Sequence, residues 1–146
     1  MQRVWPIAIA AALAACTDVP TDETPSGALR LFLDALERAE REPAAMEDAF
    51  WLLDEATRES LAERARLAGS LGGPELEPWE MIVRGRYRLS FTPAPGTQGM
   101  RERIDGTDAT VVVTEAEGSR RAEVPLVNED GHWRVRLSLP SRDGPP

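Results

Sequence analysis

A chain of 146 residues is long enough for one domain with an ordinary core, and a formal net charge of −8 with a pI near 4.7 works against nonspecific binding to nucleic acid or to an anionic lipid surface. Its 17 basic residues are all arginine. The single cysteine, Cys16, excludes an intramolecular disulfide and leaves an unpaired thiol in an oxidising compartment unless it is modified.

Met1, Gln2 and Arg3 open the chain with one positive charge, and residues 4–15 are then almost wholly apolar up to Cys16. That run of about twelve residues falls short of the roughly 20 that a helix needs to cross a bilayer's hydrocarbon core, so residues 1–15 are expected as a signal peptide. Leu13-Ala14-Ala15-Cys16 resembles the bacterial lipobox. The resemblance implies recognition of Leu13, Ala14 and Ala15 by a signal peptidase, a diacylglyceryl group on the Cys16 thiol, and acylation, for example by palmitate, of the amine that cleavage exposes. One acyl chain holds a protein marginally, at about 0.8 kcal/mol per buried methylene, whereas two or three anchor it stably. Thr17, where an aspartate resembles an inner-membrane retention signal, favours the periplasmic face of the outer membrane; Asp18, one place later, leaves the inner membrane as the alternative. Losing residues 1–15 removes Arg3, so 16 basic and 25 acidic side chains remain, a formal charge of −9.

Residues 16–23 carry Asp18, Pro20, Asp22 and Glu23 around one large apolar residue, Val19, a composition expected of a flexible tether. The domain is expected over residues 24–139. Thr24 is placed as an N-cap with Pro25 at the first helical position, and Leu29, Phe32, Leu33 and Leu36 then follow helical spacing. Pro43 marks a second start, with Met46, Ala49, Phe50 and Leu53 as the apolar stripe. Asp54 is expected to cap a third segment that carries Leu61, Ala65 and Ala68 inward and ends at Gly69; whether the second and third helices are separate is open from the spacing alone.

Glycines and prolines in residues 71–78 end the helical pattern, and the apolar period then changes to two. Val83, Tyr87, Leu89 and Phe91 alternate with Arg84, Arg86, Arg88 and Ser90 in a first predicted strand. Further strands are expected over 100–104, 109–114, 120–127 and 132–139, with hairpin signals at Asp105-Gly106, Glu117-Gly118 and Asp130-Gly131. In the last strand Trp133, Val135, Leu137 and Leu139 share one face. Pro125 implies an edge or a bulge. The pattern is that of an α+β domain: N-terminal helices packed on a curved antiparallel sheet of four to five strands, followed by a disordered tail over 140–146.

The order of these elements, the segment AFWLLDEATRESLAERA and above all the closing VPLVNEDGHWRVRL resemble bacterial NTF2-like lipoproteins over about residues 24–139. The resemblance implies helices that close the mouth of a strongly curved sheet to form a cone. It carries no catalytic motif, so it transfers fold and not activity. The NTF2-like isomerases and dehydratases hold a carboxylate or histidine, often with a tyrosine, inside the cone. Here one tyrosine, Tyr87, and one histidine, His132, are on offer.

His132 falls at a hairpin tip, where a solvated imidazole is expected, and no neighbouring ligand set accompanies it, so neither metal nor cofactor is expected. Tyr87 lies in the apolar register and is expected either to pack its ring or to offer its hydroxyl to a ligand. Asp34 and Asp54 are read as a solvated helix face and an N-cap, with a cavity mouth as the alternative. Arg84, Arg86, Arg88, Arg101, Arg103, Arg134 and Arg136 suggest a basic sheet face, but residues 79–139 hold nine arginines and nine carboxylates, so cross-strand pairing is the simpler expectation and nucleic acid is not an expected partner. Phe50 and Trp51, adjacent on one helix, cannot both enter a narrow stripe, so one of them is expected at a pocket or a partner, as is Trp79 beside Pro78, while Trp133 is placed in the core.

The expected function is a noncatalytic, lipid-anchored envelope protein that binds a small apolar ligand or another envelope protein, with Trp51, Trp79 and Tyr87 as candidate pocket or interface residues. A small-molecule dehydratase or isomerase and a purely structural accessory are the alternatives.

Overall fold

The computed structural model describes residues 19–82 and 89–139. The expected signal peptide, the Leu13-Ala14-Ala15-Cys16 motif, Tyr87, most of the first predicted strand and the tail lie outside the described residues.

Helix α1 spans Pro25–Arg38. Thr24 caps it as the sequence predicts, in extended backbone with its hydroxyl accepting the Gly27 N–H at 3.1 Å. Leu29, Phe32 and Leu36 turn to the core together with Ala28 and Ala35. α2, Ala45–Trp51, and α3, Glu55–Ser70, are separate helices, and the reason lies in the link between them. Val135 donates its N–H to Leu52 O at 2.8 Å and accepts the Asp54 N–H at 3.0 Å, so Leu53 bridges to the sheet and Asp54 takes extended backbone, which a continuous helix cannot supply. Asp54 then caps α3, accepting the Thr57 N–H at 3.2 Å.

α3 ends beyond Gly69. Gly72, with φ +79°, takes the left-handed position after the last turn, its N–H bonds Gly69 O at 3.1 Å and the Gly73 N–H reaches Ala68 O at 3.2 Å. Glycine populates that conformation without steric cost, so the second glycine of the run, and not Gly69, stops the helix. A short 3-10 turn, Pro78–Met81, follows and packs against α2 and α3.

Four antiparallel strands in the order β1-β2-β3-β4 form the sheet: β1 Met100–Asp105, β2 Asp108–Thr114, β3 Arg121–Glu129 and β4 His132–Val135. Of the expected four to five strands these four are present among the described residues, and Leu89, Ser90 and Phe91 are outside any strand. Asp130 and Gly131, with φ of +54° and +89°, make the tight β3–β4 turn whose positive angles suit a right-twisted hairpin. The β1–β2 turn falls on Gly106 and Thr107, one residue later than the Asp-Gly signal, with Asp105 facing Asp108.

β4 stops at Val135 and not at Leu139, and Pro125 supplies the reason. Arg136 still donates its N–H to Pro125 O at 2.9 Å, but proline has no N–H with which to return the paired bond, so the ladder ends there. Toward β2 the same proline costs nothing, because Val124 and Leu126 carry that pairing. One face of the sheet presents Ala109, Leu126 and Val135 in register, beside Val111, Val113 and Trp133, all buried. α1 lies across it, touching β1, β2 and β4. Among the described residues the result is an α+β domain of three helices and an open antiparallel sheet, with α1 packed on the sheet. No helix among the described residues is long and apolar enough to cross a membrane.

Candidate functional site

Three aromatic residues meet at the end of α2. Phe50 is buried on the core side of the helix, so its neighbour Trp51, about 100° further round, has to leave that face. The Trp51 ring meets Phe50 edge to face at 5.3 Å between centroids and is still 54 % exposed. Arg58, from the first turns of α3, holds its guanidinium 5.4 Å from the Trp51 ring centroid and pairs with Glu129 at 3.5 Å. Glu47, one turn earlier, accepts the indole N–H at 3.5 Å.

On the other side of Phe50 stands Trp79, at 6.2 Å and again edge to face. The 3-10 turn positions it through reciprocal caps between Glu77 and Glu80, with the Glu77 N–H donating to Glu80 Oε2 at 2.7 Å. Trp79 is half-buried and walls an open cleft of about 460 Å³ together with Pro43, Ala44, Met46, Glu80 and Ile82. Trp133 is buried, as its place in the apolar register predicts.

His132 does not stand free at its hairpin. Its Nδ1 lies 3.0 Å from Asp22 Oδ1, and Arg134 donates to Asp22 Oδ2 at 2.6 Å, while the Trp133 N–H between them bonds Asp22 O at 2.7 Å. The end of the segment expected as a tether is thus held on the outer edge of β4. The hydrogen bond from Arg134 pulls the Asp22 carboxyl below its ordinary value of 3.8, partial burial opposes this, and His132 adds to the lowering. A carboxyl lowered in the folded state contributes stability that is present above the unfolded value and is lost as pH falls through the folded one. The stability gap between the protein and Asp22→Asn is therefore expected to be open near pH 5, about one unit above the unfolded value, and to close as the pH falls from 3.8 through the lower folded value, in urea titrations read by circular dichroism. A gap that stays constant into acid would mean that ionisation of the Asp22 carboxyl does not carry the contribution.

The other candidates resolve simply. Asp34 pairs with Arg30 one turn earlier on α1, and the Asp54 carboxylate is buried between the Thr57 amide and Arg136. Arg134 and Arg136 find their acids mainly off the sheet, on Asp22 and Asp54, with Asp108 of β2 as a further partner of Arg136 at 3.1 Å. Among the described residues every buried side-chain nitrogen and oxygen has a partner, and no three His, Cys, Asp or Glu side chains converge as metal ligands. Sequence reasoning missed Asp22 and Arg58. Neither sits in a motif, and the partners of Asp22 are more than a hundred residues away.

No family model, curated protein or solved structure matches this chain.

Proposed function

We propose that this chain is a noncatalytic, lipid-anchored protein of a bacterial envelope, with the outer membrane favoured, whose NTF2-like domain binds another envelope protein in the cleft walled by Trp79. The observation that carries the reading is the placement of Trp79: a tryptophan fixed by its own capped turn and by the Phe50 ring, with one side left to an open cleft that it walls together with Pro43, Met46, Ile82 and Glu80. Support for the anchor comes from Leu13-Ala14-Ala15-Cys16, and for the NTF2-like fold from three helices that precede an antiparallel meander, with α1 laid across its apolar face. A protein side chain suits the cleft better than an enclosed small ligand, because the apolar face of the sheet is filled by the protein's own side chains and the cleft is open on one side. The isomerase or dehydratase alternative requires an interior acid or base free to act, whereas the Asp54 carboxylate is occupied on both oxygens.

In the native host, Cys16→Ser is expected to abolish palmitate incorporation and to release the chain from the membrane fraction. A wild-type chain that takes no label, in cells whose known lipoproteins do, would overturn the anchor. With a photo-crosslinker at position 44, which is exposed on the rim of the cleft, Trp79→Ala is expected to lower the yield of one specific envelope adduct by at least about tenfold, the consequence of losing a hot-spot tryptophan worth about 2 kcal/mol. Trp79→Phe should retain most of it. Equal yields from all three chains would remove the cleft from the interface.

A further inference from the structure

The cleft leaves Trp51 unexplained. Its indole is pinned by Phe50 on one side and Arg58 on another, yet presents a rigid apolar surface outward. The pairing along β4 says where that surface stands. The N–H groups of Trp133 and Val135 bond Asp22 O and Leu52 O, so the N-terminal segment and the link after α2 lie end to end on the same outer edge. Amides two residues apart on a strand are about 7 Å apart, and Trp51 is one Cα step of about 3.8 Å from Leu52, which puts its backbone within about 15 Å of Asp22. Counted toward the other end, Cys16 is six residues before Asp22, a span of at most about 21 Å. Val19, 75 % exposed, is only three residues from Cys16. The other exposed apolar side chains of this layer, Leu67 and Leu71, stand toward the far end of α3, about 18 and 24 Å along the helix from its first residue.

We propose that Trp51 seats in the headgroup layer of the membrane that holds the acyl chains, so that the domain lies on the bilayer in one orientation, with the β4 edge toward the lipid. The inference rests on acylation of Cys16. An indole, apolar over its faces and polar at its N–H, is the side chain best suited to that layer. Because the anchor keeps Trp51 within a few nanometres of the surface, a contact too weak to recruit the free domain is enough to orient the tethered one. Glu47 accepts the indole N–H, and Glu129 pairs with the cation over the ring, Arg58, so the patch is acidic and fits zwitterionic rather than anionic headgroups.

The test uses the mature lipoprotein from its own membrane, its acyl groups verified by mass, reconstituted into phosphatidylcholine vesicles that carry bromine near the top of the acyl chains. The emission of Trp51 is the difference between wild type and Trp51→Phe, two chains expected to share one urea midpoint. Brominated vesicles should quench most of that difference and protect it from acrylamide. A Trp51 emission that bromine leaves untouched and acrylamide reaches would overturn the docking while the anchor stands. If the native product carries no acyl groups, the anchor reading fails instead. Coupling the mature chain through Cys16 to a maleimide-bearing lipid then decides by the same quenching whether the geometry seats Trp51. A photo-crosslinker at position 51 that captures a protein in intact cells, and no lipid, would also overturn it.

Discussion

Phe32→Ala should destabilise the domain by about 3–5 kcal/mol, the range for truncating a fully packed phenylalanine. Phe32 is 2 % exposed on the face of α1 that lies across the sheet, in the same cluster as Leu126, Val111 and Val135, each wholly buried. The loss has two parts: the apolar surface no longer removed from water, and a cavity that a helix tied at its first turn to Glu102 of β1, through the Ser26 N–H at 2.8 Å, cannot collapse. A urea titration should show the midpoint falling with the slope unchanged. Leu71→Ala, at an exposed position past the end of α3, is the control and should move stability by no more than about 0.5 kcal/mol. Comparable losses in the two variants would mean that α1 does not sit on the sheet as described.

Asp54→Ala is the second large effect, at about 2 kcal/mol. The carboxylate is 3 % exposed, one oxygen accepts the Thr57 N–H at 3.2 Å and the other accepts from Arg136 at 3.3 Å. Alanine leaves a buried amide at the start of α3 without an acceptor and removes one of two partners from Arg136, whose other partner is Asp108. Asp54→Asn keeps a cap oxygen and should recover roughly half of the loss, because asparagine caps about as well as aspartate. The double variant with Arg136→Ala should fall short of the sum of the single effects, since the two side chains share one contact. If asparagine does no better than alanine, the Arg136 pair and not the cap carries the contribution.

The elements that sequence reasoning located well are those decided within a few residues. Thr24-Pro25 and Asp54 start helices because a side-chain oxygen meets an amide two or three residues on, a contact that needs no other part of the chain. Asp130-Gly131 sets a tight turn because both positions take positive φ. Trp133 and Val135 were placed inward by alternation alone, and both are buried. What local reading missed or left open has a different cause. The early end of β4 depends on Pro125 of the neighbouring strand lacking an N–H to return, which periodicity in β4 cannot register. The division between α2 and α3 depends on Val135 pairing with Leu52 and Asp54, about eighty residues earlier in the chain.

The candidate site divides the same way. That Phe50 and Trp51 cannot both face inward follows from the 100° between adjacent helical residues, and it could be read before any fold was known. Which of the two is exposed, and what holds it, required α3 to bring Arg58 over the ring and β3 to bring Glu129 to Arg58. By itself the amino-acid sequence determined the helix starts, the tight turn, the inward residues of the strands and the lipobox-like motif at Cys16, because each is written in neighbouring residues or in a short period. Only the tertiary structure decided that Asp22 binds the edge of β4, that Trp79 opens on a cleft and that the link after Trp51 pairs on the same edge as Asp22. These are meetings between residues far apart in the chain, and the free energy that selects them comes from burying one common core, which no local window contains.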